Sequence, residues 1–258
     1  MRIAVLQTDW AGLRAGVRLA RLDAAVGDCG ADVIVTPELS VSGYAVGEKL
    51  RETAETYDGP MLDAAREIAQ RRGVALVVGW VERDCDQFFN VATCVSAGGE
   101  VLGHHRKTIL PPGFEREVFS PGHGMTLFAL GGVTCALLIC YEVEIAECVR
   151  AVAAAGADLV IAPTALSADW PIVAHRMIPT RAFENNIAIA YANHAGREGD
   201  LSYLGASCII APDGRELTRA QESGGLIEAD VTFEKVAALR KRLPYGADAA
   251  MAVARLVG

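Results

Sequence analysis

Two short runs of branched apolar residues, Val33-Ile34-Val35-Thr36 and Leu159-Val160-Ile161-Ala162, each stop at a proline, Pro37 and Pro163, and stretches with the spacing of amphipathic helices lie around them. A chain that alternates buried strands with helices in this way packs as α/β layers around mixed sheets. The same reading predicts further strands at Arg2–Thr8, Val74–Val81, Phe89–Ser96, Val101–Arg106, Thr126–Leu130, Val133–Ile139, Ile187–Asn193, Ser202–Ala211 and Gly225–Asp230. Helices are predicted over Gly12–Asp28, Pro60–Arg72, Glu144–Ala155 and Pro171–Asn185, with Gly73 and Gly156 as stop signals. The pairs Gly98-Gly99 and Gly131-Gly132 read as hairpin turns. No repeat or linker interrupts the pattern, so 1–258 is expected to form a single domain, with 244–258 a C-terminal tail or docking helix.

Composition narrows the function classes. At 258 residues, 52% hydrophobic and 22% charged, the chain has ample material for a core. Its net charge of −8 lacks the basic surface that a phosphate backbone demands, so nucleic acid is not an expected partner. No stretch approaches the ~18–20 apolar residues that span a bilayer, so no membrane partner is expected either. Seven cysteines, an odd number without CxxC spacing, and an N-terminal segment interrupted by Asp9 make the cytoplasm the expected compartment.

Several common sites are missing from the string. The adjacent pair His104-His105 lies on a strand and must point to opposite faces. There is no spaced Cys/His zinc pattern, phosphate loop, dinucleotide fingerprint or GxSxG elbow, so neither a metal nor a cofactor is expected. Cys140 stands apart because it ends the apolar run Val133–Ile139 just before a helix opens, and nearby helical N–H groups favour a thiolate. The other six cysteines read as small residues inside strands or helices. A thiol nucleophile needs a proton acceptor and an oxyanion partner. Glu38, directly after Pro37, and Lys107, directly after the strand Val101–Arg106, are the candidates at strand ends. If those strands share one sheet with their carboxyl ends together, Glu38, Lys107 and Cys140 converge. A desolvated Glu becomes a useful base, and a buried Lys offsets its charge. Taken singly, each would read as a surface charge.

Three blocks carry a family resemblance: PELSVSGY at 37–44, RKTILPPGFEREVFSPG at 106–122 and LLICYEVEIAE at 137–147. In order and separation they resemble the signature blocks of the nitrilase superfamily of carbon–nitrogen hydrolases, and the likeness runs from Arg2 to about Asp230. The stretch 163–199 is similar to the amidase-like branch. The resemblance implies a four-layer αββα sandwich of two mixed β-sheets flanked by helices, usually joined through helices beside the nucleophile into a homodimer or a higher homo-oligomer. It implies Glu38 as general base, Cys140 as nucleophile, and Lys107 with the Tyr141 backbone N–H as the oxyanion site. Glu115 matches a second glutamate that positions substrate, with Glu117 as its neighbouring rival.

For substrate contacts, Tyr44 and Tyr141 are expected at the mouth, and Thr164-Ala165 follows a strand end beside the site; core packing is the rival reading of both tyrosines. Glu144, four residues past Cys140, either faces the pocket and holds a cationic tail or stabilises a helix N-terminus. Amidases of ω-amino acid amides such as 5-aminopentanamide are similar around CYEVE and YANHAGREG. The expected activity is therefore hydrolysis of a small aliphatic carboxamide to the acid and ammonia through a thioester, with ω-amino amides the favoured substrates. Nitrile or N-carbamoyl hydrolysis with the same triad is the alternative, and a non-catalytic binding module is the reading from another class.

Overall fold

The computed structural model describes residues 1–27, 29–44, 49–234 and 236–257. Fourteen strands are named in chain order among them. They are β1 (Arg2–Gln7), β2 (Val33–Val35), β3 (Ala75–Asp84), β4 (Gln87–Val95), β5 (Val101–Arg106), β6 (Thr126–Leu130) and β7 (Val133–Leu137), then β8 (Leu159–Pro163), β9 (Ala188–Ala192), β10 (Arg197–Glu198), β11 (Leu201–Ser202), β12 (Cys208–Ile210), β13 (Glu216–Arg219) and β14 (Gly225–Asp230). Two six-stranded sheets result, in the orders β14-β1-β2-β3-β4-β5 and β13-β12-β9-β8-β7-β6. In the first, β1, β2 and β3 run parallel; in the second, β7, β8 and β9 do. The outer pairings are antiparallel, so both sheets are mixed.

The period-two alternation of a strand explains why these runs are apolar throughout. Ile3, Val5, Val33, Val35 and Val77 of the first sheet meet Leu137, Leu159, Ile161 and Ala190 of the second in one inner core. The alternate residues Ala4, Leu6, Ile34 and Leu76 turn outward onto Leu22 of the helix Ala15–Val26 and Leu62, Ala65 and Ile68 of the helix Pro60–Arg72. On the far side, Ala136, Val160 and Ile189 pack on Val149 of the helix Ala146–Ala154 and Ile178 and Ala182 of the helix Ile178–Asn185. The four-layer αββα sandwich is thus the observed architecture.

Differences from the expected elements have local causes. The helix predicted over Gly12–Asp28 spans Ala15–Val26, and Asp28 lies outside the described residues. The helix expected from Glu144 starts at Ala146, after a separate short turn Tyr141–Glu144. Within Pro171–Asn185 the turn Val173–Met177 is π-helical, because Pro179 has no N–H for a regular ladder; the Ala174 carbonyl freed there accepts from Arg219 Nη2 at 3.2 Å. The strand predicted over Ser202–Ala211 is broken at Gly205 (φ 68°) and Ala206 (φ 54°), and only Cys208–Ile210 pairs in the sheet. The 244–258 segment is the exposed helix Tyr245–Val257; Gly258 lies outside the described residues. No helix among the described residues is long and apolar enough to cross a membrane.

Candidate active site

Cys140 does leave β7 at a tight junction. It precedes the helical turn Tyr141–Glu144 and takes φ 50°, ψ −107°, a backbone state that a side-chain-bearing residue holds only when its surroundings fix it. Its N–H donates to the Pro163 carbonyl at 2.9 Å. Glu142 supplies the rest of the anchor. Its carboxylate accepts from the Ile139 N–H (2.7 Å), the Thr108 N–H (2.8 Å), the Thr108 hydroxyl (2.6 Å) and His105 Nε2 (3.0 Å). Buried though it is, that set of donors holds Glu142 below the usual carboxylate range.

Glu38, Lys107 and Cys140 do converge, but not along one sheet. Glu38 follows β2 and Lys107 follows β5, both in the first sheet, whereas Cys140 follows β7 in the second. The matching edges of the two sheets face each other across the sandwich, and the contacts of Glu142 tie Thr108, next to Lys107, to Ile139, next to Cys140.

Lys107 Nζ donates to Glu38 Oε1 at 2.6 Å and to Glu115 at 2.8 and 3.0 Å, all three side chains being fully buried. Asn90 Nδ2 donates to Glu38 Oε1 at 2.7 Å and to Glu115 Oε2 at 3.4 Å. Glu38 Oε2 has no hydrogen-bond partner among the described residues. Burial drives the Glu38 carboxyl up, against the pull of Lys107, to about 7. Burial also works against the Lys107 charge, but Glu38 and Glu115 outweigh it and hold the ammonium well above its ordinary range. The Cys140 thiol is pushed far up by burial and by Glu38, while Lys107 and the Ala165 N–H pull it the other way. At rest the pocket therefore pairs a neutral thiol with a poised carboxylate and a permanent cation.

The remaining predicted residues sort clearly. Glu115, not Glu117, is the buried partner, and Tyr44 donates its hydroxyl to Glu115 Oε1 at 2.7 Å. Glu117 is exposed and lines a cleft of about 850 Å³ that Tyr44, Phe114, Val118 and Leu201 also wall. Thr164 accepts the Glu38 N–H at 3.3 Å, and Ala165 points its N–H at the thiol. Tyr141 is half-buried and does not line the cleft. Glu144 is half-buried; burial raises its carboxyl to about 7, against the pull of Lys107, and it forms no ion pair among the described residues. Three of the six other cysteines are not fully buried, Cys148 of the helix Ala146–Ala154 being half-buried. Cys85 is exposed at the β3–β4 turn, and Cys29 is half-buried with Sγ donating to Glu228 at 2.9 Å.

Asn90, Glu142 and His194, which lends Nε2 to the Glu38 carbonyl at 2.7 Å, escaped the sequence reading. The available signal for Asn90 was a lone amide inside the apolar run Phe88–Val95. A glycine also belongs to the frame. A Cβ on Gly79 of β3 would lie 2.4 Å from the Leu39 nitrogen and 2.7 Å from the Pro37 carbonyl, so only glycine lets the Glu38 loop rest on the sheet. Gly79→Ala should lower turnover about 100-fold by displacing Glu38, and cost about 1–3 kcal/mol of stability. Steady-state kinetics beside a denaturant melt would check both, and unchanged turnover would remove Gly79 from the frame.

The carbon–nitrogen hydrolase family model matches residues 2–241. A hydrolase encoded in the pqqF 5′ region of Pseudomonas protegens is 39% identical, over 89% of this chain and 80% of its own length. An (R)-stereoselective amidase of Pseudomonas sp. is 32% identical over 95% and 90%. Among solved structures, an amidase from Nesterenkonia sp. superposes with TM-score 0.86 at 35% identity, covering 94% of each chain. A mutant of a Nesterenkonia amidase bearing the acetamide moiety of fluoroacetamide on its active-site cysteine gives TM-score 0.84 at 35% identity, covering 89% of each.

Proposed function

The chain belongs to the carbon–nitrogen hydrolase family and is a hydrolase of carbon–nitrogen bonds, and from that premise we propose that it is an amidase converting a small aliphatic carboxamide to the acid and ammonia through a thioester on Cys140. The observation that carries this reading is the free oxygen of Glu38, a buried acceptor with a carboxyl poised near 7 beside a protonated lysine and a cysteine. Glu38 Oε2 takes the thiol proton as sulfur attacks the amide carbon. Lys107 and the Tyr141 N–H, a donor at the start of a helical turn with no carbonyl of that turn to meet, hold the oxyanion. Protonated Glu38 returns its proton to the departing ammonia. Water then attacks the thioester, with Glu38 again as base and Glu115 and Asn90 holding the lysine–glutamate pair in register. The covalent cysteine adduct of the Nesterenkonia relative supports the nucleophile.

The acyl group is proposed to end in an amine. Glu144 is a half-buried carboxylate close enough to feel Lys107, yet without a cation of its own among the described residues. An ω-ammonium group would supply one. Glu144→Gln should lower kcat/KM for an ω-amino amide about 10- to 100-fold, the worth of a charge-assisted hydrogen bond. An uncharged amide of equal length should change about twofold or less; equal losses on both would take Glu144 out of specificity. The activity itself is tested by ammonia release from matched amides, ω-amino amides, nitriles and N-carbamoyl amines. Amides should be turned over fastest; a faster nitrile, or carbon dioxide released with the ammonia, would replace the amidase reading.

A further inference from the structure

The base and the nucleophile sit on different sheets, yet both hang from the end of the same strand, β8. The Cys140 N–H donates to Pro163 at the end of β8, and the Glu38 N–H donates to Thr164 one residue on. The Glu38 carbonyl accepts from His194, two residues past β9. Leu39, next in the chain, adopts φ 49°, so the Glu38 turn is strained and depends on contacts that hold it. His194 is 3% exposed, and its Nδ1 lies 2.8 Å from Thr8 Oγ1, just past β1. A carbonyl can only accept, so Nε2 carries the ring proton, and the Thr8 hydroxyl donates to Nδ1. Burial pushes the imidazole down to about 4, which keeps it neutral and in this tautomer near pH 7. The ring also leans on Tyr203, with centroids 4.9 Å apart; the Tyr203 hydroxyl donates to Glu198 at 2.9 Å, and Glu198 pairs with Arg18 at 2.7 Å. The histidine is thus held by Thr8 and by the Tyr203 ring, and bonded through Nε2 to the main chain of the residue read as the base.

We infer that His194, oriented by Thr8, is a positioning residue: its Nε2–H bond to the Glu38 carbonyl fixes the carboxylate where it can take the Cys140 proton. The inference rests on the reading of Glu38 as base. It concerns neither substrate nor oxyanion, so its loss should appear in kcat and in the activation of the thiol, and hardly in KM.

The test uses the full-length protein, a small aliphatic amide such as propionamide, and iodoacetamide as a probe of thiol activation, with Cys140→Ala defining the background from other cysteines. His194→Phe keeps a ring against Tyr203 but has no donor. It should lower kcat about 10- to 100-fold with KM within about threefold, and slow the alkylation of Cys140 by a similar factor. His194→Gln, which can donate to Glu38 and accept from Thr8, should recover most of the loss. Thr8→Val, which removes the hydrogen bond that orients the ring at Nδ1, should cost about 3- to 10-fold and serves where His194→Phe fails to fold. Wild-type kcat and alkylation in His194→Phe, or in Thr8→Val where His194→Phe fails to fold, would overturn the inference, as would a His194→Gln no better than His194→Phe. So would a loss that tracks the fraction of folded protein alone. Glu38→Gln is measured in parallel. If it keeps turnover, the base reading fails; if it is inactive while His194→Phe is unimpaired, only the positioning role fails.

Discussion

Cys140→Ala is expected to reduce amide turnover on the order of 10⁶-fold, the scale on which removing the nucleophile of a hydrolytic triad acts. The fold should survive it. The side chain loses one sulfur atom at a position that is 7% exposed, and alanine meets the same strain at φ 50° that cysteine already bears. The anchors of the junction, Glu142 and the Pro163 carbonyl, contact the main chain around the sulfur rather than the sulfur itself. Melting temperature should therefore shift by only a few degrees, corresponding to about 1 kcal/mol. Intact-mass analysis during turnover gives a second reading, since the wild-type chain should gain the mass of one acyl group and the variant none. Undiminished ammonia release from purified Cys140→Ala would end the thioester mechanism.

The second large effect is on pH dependence. The thiol is pushed up by burial and starts neutral, so the ionisation that governs attack belongs to Glu38, whose carboxyl lies near 7. The base must be a carboxylate to act. Activity is therefore retained above about pH 7 and lost as pH falls through it, with kcat/KM dropping about tenfold per unit below. Lys107, held protonated by its two carboxylate partners, adds no titration of its own near neutrality. Glu144 also lies near 7, so the profile should be measured with an uncharged amide and repeated in Glu144→Gln. The limb should persist there and disappear only with Glu38. Glu38→Gln should fall by about 10⁴-fold or more, and a flat profile from pH 5 to 9 in the wild type would remove Glu38 as base.

How much of this could be read from the string depended on range. Elements whose stop signals are local were legible: the helix Pro60–Arg72 opens with proline and closes on Gly73 at φ 65°, and the hairpin at Gly131-Gly132 joins β6 to β7. The strand ends that carry Glu38, Lys107 and Cys140 were legible for the same reason. Their assignment to one sheet was not, because which strands share a sheet is decided by pairing across long separations. β5 joins the first sheet beside β4, whereas β7, about thirty residues later, joins the second between β6 and β8. Glu115 was separated from Glu117 only by burial, which two residues on one short helix do not announce. Asn90 and His194 escaped because each acts through a partner 52 or 156 positions away, Glu38 in both cases. The broken strand near Gly205 escaped likewise, its path set by the Asn193 amide, which donates to the Gly205 carbonyl at 2.8 Å.

The division of the proposed base and nucleophile between two layers has a bearing on robustness. A sandwich resists melting through its whole apolar interior, whereas the placing of acid against sulfur depends on a handful of hydrogen bonds between the layers, Glu38 to Thr164 and His194 and Thr108 to Glu142 among them. Catalytic competence in such a molecule is the more fragile property: the chain can remain folded, helical and sheeted while its chemistry has already stopped.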